Sequence, residues 1–177
     1  MSASSVGIIG GGQLGSMLAV AAKKLNIKTS IYSNDPIAPA THFSDLSFYG
    51  NYEDEEKIKQ FLEGVDVVTF EFENIPFETL KRINTIKPVF PNPNVNRIVQ
   101  NRLYEKDFVN KLNIRTTRYV SIKQQSEIEA LDDFLPGILK TVTLGYDGKG
   151  QYPINSIEDL KKINIDFSKG YILEKLV

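Results

Sequence analysis

The chain contains no cysteine. Disulfides, thiol nucleophiles and thiolate zinc sites are therefore excluded. Histidine is almost as scarce: His42 is the only one in 177 residues, which removes histidine-rich metal sites and most imidazole-based triads. No apolar run reaches the ~18 residues of a membrane span, and the start lacks a basic segment followed by a long apolar stretch. The expected location is the cytoplasm. Neither sign of charge prevails, with 21 Lys and Arg against 22 Asp and Glu, so nothing in bulk electrostatics points to nucleic acid or a membrane surface. What is present, 41% hydrophobic and 24% charged residues, describes a soluble globular chain of one domain, or one plus part of another.

The first half alternates strand and helix. Val6-Gly7-Ile8-Ile9 is a short apolar run among glycines, as a buried parallel strand requires. Leu14, Met17, Leu18, Ala21, Ala22 and Leu25 follow at helical spacing, and Asn26 marks a stop. Further strands are expected at Thr29 to Tyr32, Leu46 to Tyr49, 65–70 and Val89-Phe90. Helices are expected over 53–63, opened by acids, and after Pro76. Such alternation implies a parallel sheet wrapped on both faces.

Pro91-Asn92-Pro93-Asn94 is the boundary signal, giving residues 1–93 and 94–177 as the two domains. Beyond it the spacing predicts one helix over 97–112 and a strand over 115–120. Ser126 and Glu129 form a capping-box pattern, and a strand over 137–142 leads into a glycine-rich loop. A short strand near Tyr152, a helix opened by Ser156 and a strand from Tyr171 complete the series. A strand so placed at the end of the chain, without partners, would expose an edge.

Two glycine motifs carry chemistry. Gly10-x-Gly12-x-x-Gly15 lies between the first strand and helix, where a pyrophosphate-binding turn belongs, and Asp35 stands where a ribose-binding acid would. Glycine is also needed there for steric reasons alone. Gln13 is a polar side chain in the same turn. Glu71 and Glu73 sit at the carboxyl end of a buried strand, the edge at which open parallel sheets bind ligands.

The second motif is Gly145-Tyr146-Asp147-Gly148-Lys149-Gly150-Gln151. Its glycines let backbone amides approach a polyanion closely, and Lys140 and Lys149 add point charges. It is not a Walker A sequence, because Gly150 follows Lys149 where Ser or Thr would stand. Arg102 and Lys106 share one helical face at i and i+4; the ordinary reading of Lys106 is a solvated charge.

Taken together, Gly10 to Gly15, Phe70-Glu71-Phe72-Glu73-Asn74, Lys140, Gly145 to Gln151 and Glu174-Lys175-Leu176-Val177 resemble the 5-(carboxyamino)imidazole ribonucleotide synthetase family. These are the ATPase subunits of phosphoribosylaminoimidazole carboxylase, within the ATP-grasp superfamily. The resemblance implies a Rossmann-like, doubly wound α/β pre-ATP-grasp domain followed by an incomplete ATP-grasp domain. It implies ATP-driven carboxylation of aminoimidazole ribonucleotide by bicarbonate through carboxyphosphate, in purine biosynthesis, with Mg²⁺ as cofactor and a homodimeric assembly. By the same resemblance Arg102 and Lys140 contact ATP phosphates, Gly145, Tyr146, Asp147, Gly148, Lys149, Gly150 and Gln151 form the lid over them, and Glu174, Lys175, Leu176 and Val177 form the adenine hinge. Gly12, Gln13, Leu14 and Glu71 hold the ribonucleotide, while Tyr146, Asp147 and Lys149 carry the catalytic roles. Metal ligands are expected in a later part of the family's longer chain, so this sequence reads as an N-terminal fragment, inactive alone. Two other readings compete: an NAD-binding oxidoreductase domain, resting on the first glycine motif and Asp35, and a non-catalytic interaction domain.

Overall fold

The computed structural model describes residues 5–145 and 150–177. The chain forms two compact units, Met1–Arg97 and Ile98–Val177.

The first unit is built on a parallel sheet. Its strands are β1 (Ser5–Ile9), β2 (Lys28–Ser33), β3 (Leu46–Tyr49), β4 (Val67–Phe70) and β5 (Val89–Phe90), in the order β3-β2-β1-β4-β5. Helices α1 (Gln13–Lys24), α2 (Glu55–Glu63) and α3 (Phe77–Ile86) supply connections, and a short 3₁₀ segment, Pro39–His42, lies between β2 and β3. The chain moves outward from β1 to β3 and then returns to place β4 on the other side of β1. That reversal makes the carboxyl ends of β1 and β4 a topological switch point, where open α/β sheets place ligands.

The two faces of this sheet are packed differently. One carries the main core, in which Tyr32, Phe61, Leu62, Val68, Ile75, Leu80 and Ile83 are almost wholly buried. The other is smaller, with Ile8, Ala19, Ile31 and Ala40 at its centre. Helix α1 meets the sheet through small residues, Gly15 and Ala19, which allows close approach. A Cβ on Gly15 would come within 2.7 Å of the Gly10 carbonyl oxygen. The apolar stripe expected of this helix therefore does not face the core: Leu14 and Met17 are 57% and 60% exposed.

Helix α4 (Pro93–Val99) leads into the second unit. The single helix expected over 97–112 is divided, because the Asn101 side chain accepts from the Leu103 and Tyr104 amides and starts a new helix, α5 (Arg102–Lys111). An antiparallel sheet follows, composed of β6 (Tyr119–Ile122), β7 (Gly137–Thr141), β8 (Gln151–Ile154) and β9 (Tyr171–Lys175), in the order β6-β9-β7-β8. Strand β6 begins later than 115–120 suggested. Strand β9 is central, paired with β6 on one side and β7 on the other, so the exposed edge anticipated for it does not arise.

One face of this sheet is apolar, with Ile122, Leu139, Ile154 and Leu173 packed with Ile128 and Leu160. Helix α6 (Ile157–Lys162) belongs to this core and starts at a complete capping box between Ser156 and Asp159. The Ser126–Glu129 capping box does not form: Gln125–Ala130 is a 3₁₀ segment without a side-chain cap. Among the described residues no helix is long and apolar enough to cross a membrane.

Candidate functional site

At the switch point of the first unit, β1 runs into Gly10, whose φ of 115° favours glycine. Its amide donates to the Tyr32 carbonyl (2.9 Å), and Gly12 then caps α1. The next strand over, β4, ends at Phe70, and the Glu71 amide donates to the Ile9 carbonyl (3.1 Å). This pairing turns the Glu71 side chain into the glycine turn. Its Oε1 accepts the Gly12 amide at 2.9 Å, and a Cβ on Gly10 would come within 2.8 Å of that oxygen. A carboxylate of the protein thus occupies the helix N-terminus, where the macrodipole favours an anion.

Beside this carboxylate lies a cavity of about 210 Å³, lined by Gly11, Gly12, Ser33, Asp35, Tyr52, Glu71 and Phe72 among others. The Tyr52 and Phe72 rings stand 6.0 Å apart, tilted by 34°. Burial pushes the Tyr52 phenol above its ordinary value, and the Glu71 charge adds to the effect against a hydrogen bond at the Asn34 backbone. Asp35 is engaged locally, its Oδ1 accepting the Ile37 amide at 3.0 Å and its own amide donating to Ser33 Oγ. Of the sequence candidates, Gly12 and Glu71 come together at this cavity, whereas Gln13 and Leu14 lie exposed on the first turn of α1. Phe72 belongs to the 70–74 motif without having been given a role, whereas Tyr52 was not anticipated and no local pattern marks it.

The second unit has a site of opposite charge. Residues opposite one another in antiparallel pairs share a face. Glu174 is opposite Tyr119 on β6 and Ile138 on β7, so Lys140, two residues beyond Ile138, projects from the same face. Helix α5 supplies Arg102 and Lys106 to a cavity on that face of the second unit's own sheet. The Glu174 carboxylate, only 10% exposed, presents Oε2 to Lys140 Nζ at 3.0 Å and to Lys106 Nζ at 3.5 Å. Lys106 also lies over the Tyr119 ring, 5.4 Å from its centroid. Tyr119 donates its hydroxyl to Asp107 (2.6 Å) and accepts from Asn110 (3.1 Å). Burial and Asp107 raise the Tyr119 pKa, so the phenol stays a neutral donor. Lys106 is therefore no solvated charge, and its contacts could not be read locally because its partners lie on distant strands.

Arg102 does not point freely into solvent. Its guanidinium donates to the carbonyls of Thr141 (2.9 Å), Leu144 (2.5 Å) and Gly145 (2.8 Å), and its amide donates to Val142 (2.8 Å). It staples the strand exit that begins the glycine-rich loop, while the Thr141 amide, bonded to the Gly150 carbonyl at 3.1 Å, ties the two stems together. Gly145 and Gly150 have φ of 82° and 69°. Tyr146, Asp147, Gly148 and Lys149 lie outside the described residues.

A cavity of about 350 Å³ opens beside Arg102, Glu105, Lys106, Val109, Thr116, Lys140 and Glu174. At the hinge, the Lys175 and Leu176 amides donate to the carbonyls of Arg118 and Pro136, at 2.8 and 2.9 Å, and are thus already used. The Lys175 carbonyl accepts the Thr117 hydroxyl at 2.6 Å and keeps a second lone pair. The described residues do not fit Mg²⁺. They contain no group of three or more His, Cys, Asp or Glu side chains able to hold a metal, and Glu174 Oε2 is shared by two ammonium groups.

A doubly wound parallel unit, followed in the chain by an antiparallel sheet with a cationic cavity on one face, defines the class as an ATP-grasp protein. Residues 3–100 match the ribonucleotide synthetase preATP-grasp domain and residues 107–177 the ATP-grasp domain, and the chain belongs to this family. It is 38% identical over 158 residues to the N5-carboxyaminoimidazole ribonucleotide synthase of Pseudomonas aeruginosa, an alignment covering 88% of this chain and 44% of that protein. The structure of an N5-carboxyaminoimidazole ribonucleotide synthetase in complex with ADP superposes with a TM-score of 0.91 at 34% identity, covering 98% of this chain and 47% of that one. An Aspergillus clavatus synthase in complex with ADP and 5-aminoimidazole ribonucleotide gives 0.84 at 25% identity, covering 98% and 46%. The chain thus spans about half the length of these three relatives.

Proposed function

We propose that this chain provides the nucleotide and ribonucleotide sites of an enzyme that carboxylates 5-aminoimidazole ribonucleotide with bicarbonate at the expense of ATP. The observation that carries the reading is the Lys140–Glu174–Lys106 cluster beside the stems of the glycine-rich loop. It gathers cationic donors where phosphates would lie, on the face of a sheet whose central strand ends in the hinge.

In this reading a bicarbonate oxygen attacks the γ-phosphorus of ATP, the bond to the β,γ-bridging oxygen breaks, and ADP leaves. The resulting carboxyphosphate is attacked at its carboxyl carbon by the exocyclic amine of the ribonucleotide. Phosphate departs and the amine gives up a proton. The work of this chain is positioning and charge neutralisation. Lys140 meets a phosphate as a point charge. Arg102 holds residues 141–145 and uses the donors left on its guanidinium, which has five N–H groups in all, toward the same phosphates. The Lys175 carbonyl receives the adenine amine. In the first unit, Gly12 and Glu71 address the ribonucleotide, with Gln13 and Leu14 at the margin of the site. Tyr146, Asp147 and Lys149 serve the reacting groups, and Gly148 and Gln151 complete the lid. Bicarbonate as second substrate and a homodimer of the longer protein belong to the same reading.

The NAD reading is disfavoured by charge. A pyrophosphate at the first glycine turn would have to displace or face the Glu71 carboxylate, which holds the Gly12 amide that such a ligand would use. Saturation-transfer NMR on the 177-residue chain tests the assignment. Transfer to the adenine protons of ATP, with none to NAD, is expected. Transfer to NAD alone would overturn it. Binding of neither would favour a domain that acts through its surface.

A further inference from the structure

Lys106 is held in the second cavity by built support of its own. Its side chain is 15% exposed and lies between the Tyr119 ring and the Glu174 carboxylate, and Tyr119 is itself fixed by Asp107 and Asn110 of the same helix. Glu174 Oε2 faces two ammonium groups, Lys140 at 3.0 Å and Lys106 at 3.5 Å. Such a carboxylate opposes a phosphate in two ways: it repels the incoming charge, and it holds the Lys140 donors that the phosphate needs.

We propose that Lys106 is a positioning residue that neutralises Glu174, so that Lys140 is free to serve a nucleotide phosphate. The proposal rests on the nucleotide reading of this cavity. Lys140 Nζ donates to Glu174 Oε2 at 3.0 Å, with Lys106 at 3.5 Å from the same oxygen. The three groups thus carry one net positive charge, and Lys106 is the partner left to Glu174 when Lys140 turns to a phosphate. Without Lys106 the Lys140–Glu174 pair is neutral and Lys140 has no substitute to leave with Glu174, while Arg102 has only the donors not given to three backbone carbonyls. Lys106 thus acts on phosphate affinity through Glu174 and not by contact. Glu174 in turn keeps Lys106 and Lys140 from repelling each other across the cavity, which accounts for a buried carboxylate in a site built for anions.

The test is a double-mutant cycle on ADP affinity, measured by calorimetry with the 177-residue chain, using Lys106→Met, Glu174→Gln and the pair. Lys106→Met alone is expected to weaken ADP about tenfold, but less than about twofold in the Glu174→Gln background. Equal losses in both backgrounds would mean that Lys106 touches the phosphate, and would overturn the proposal while leaving the nucleotide site intact. No effect of Lys106→Met in either background overturns it as well. Failure of the unaltered chain to bind ADP overturns the nucleotide reading itself. Adenosine separates positioning from simple loss of structure: its affinity is expected to be the same with and without Lys106→Met, and a tenfold loss for adenosine too would overturn the assignment. If Lys106→Met does not fold, Lys106→Arg carries the test, since it keeps the charge. ADP affinity within about threefold of the unaltered chain supports the proposal, and about a tenfold loss overturns it.

Discussion

Each unit has a glycine-rich strand exit, and the two exits differ in electrical content. In the first, the Gly10 to Gly15 turn closes on the Glu71 carboxylate. In the second, the stems of the 145–151 loop are stapled by Arg102 and adjoin Lys140 and Lys106. Glycine spacing sets how closely a backbone can approach a ligand, but the balance of side chains gathered beside the exit sets the sign of the ligand accepted. Beside the first exit β4 brings the Glu71 carboxylate, whereas beside the second the Glu174 carboxylate of β9 is outnumbered by Lys140 of β7 and Lys106 of α5.

The comparison breaks most readily at Lys140. Lys140→Met is expected to weaken ATP binding roughly 100-fold, the worth of a charge-assisted phosphate contact, with the fold retained. Calorimetric titration with ATP checks this, and an unchanged affinity would remove the second exit from the nucleotide site.

The units also differ in how pH acts on them. Burial, then Asp54 and Tyr52, push the Tyr32 phenol up to about 12, and its hydroxyl donates to the Asn51 carbonyl at 2.7 Å. A group whose folded pKa is raised contributes stability that is complete below its unfolded value and is lost as pH rises toward the folded one. The first unit should therefore lose stability as pH rises from the ordinary phenol range near 10 toward about 12, a dependence absent from Tyr32→Phe. Urea unfolding across that alkaline range measures it. The second unit is sensitive at the acid end. The Asn155 amide holds the Asp159 carboxyl below the usual carboxylate range, and the Ser168 hydroxyl does the same for Asp166. Their contributions are present above that range and disappear as pH falls through the lowered values.

A smaller effect is expected at the first exit. Glu71→Ala leaves the Gly12 amide without its partner and the α1 terminus without its anion, at a cost of about 1–2 kcal/mol in urea unfolding. A stability gain instead would show that the carboxylate is strained in the turn, and the contrast between the exits would weaken.

Much of this contrast could be read from the chain, because strongly local signals carry it. The apolar run ending at Phe70 gave a buried strand, and the glycines at 10, 12 and 15 gave the strand–helix turn. The glycine-rich run after Lys140 gave a hairpin with a cation at its root. The pieces that could not be read depend on partners far along the chain. Lys106 looked like a solvated helix charge because Glu174 and Tyr119 are distant in sequence. Strand β9 looked like an open edge because nothing local says that β6 and β7 flank it. The stripe on α1 misled for a related reason: the sheet accepts the helix through Gly15 and Ala19, and the larger residues fall on the outer side.

The same rule, that surroundings decide what a local motif does, has its smallest test within the second unit. Ser126-x-x-Glu129 and Ser156-x-x-Asp159 both have the form of a capping box. Only the second is one: Ser156 Oγ accepts the Asp159 amide at 3.2 Å, and the Asp159 carboxylate accepts the Ser156 amide at 3.1 Å. Around Ser126 the chain turns as a 3₁₀ segment, and Glu127, not Glu129, reaches back, accepting the Lys123 amide at 2.7 Å. Ser156→Ala should therefore cost about 1 kcal/mol, the usual worth of a lost cap, and Ser126→Ala less than about 0.5 kcal/mol, as at an ordinary surface position. Thermal unfolding of the two variants side by side measures the difference. Equal costs would mean that the letters alone carry the cap, and that the surroundings which separate the two glycine exits count for less than their charges suggest.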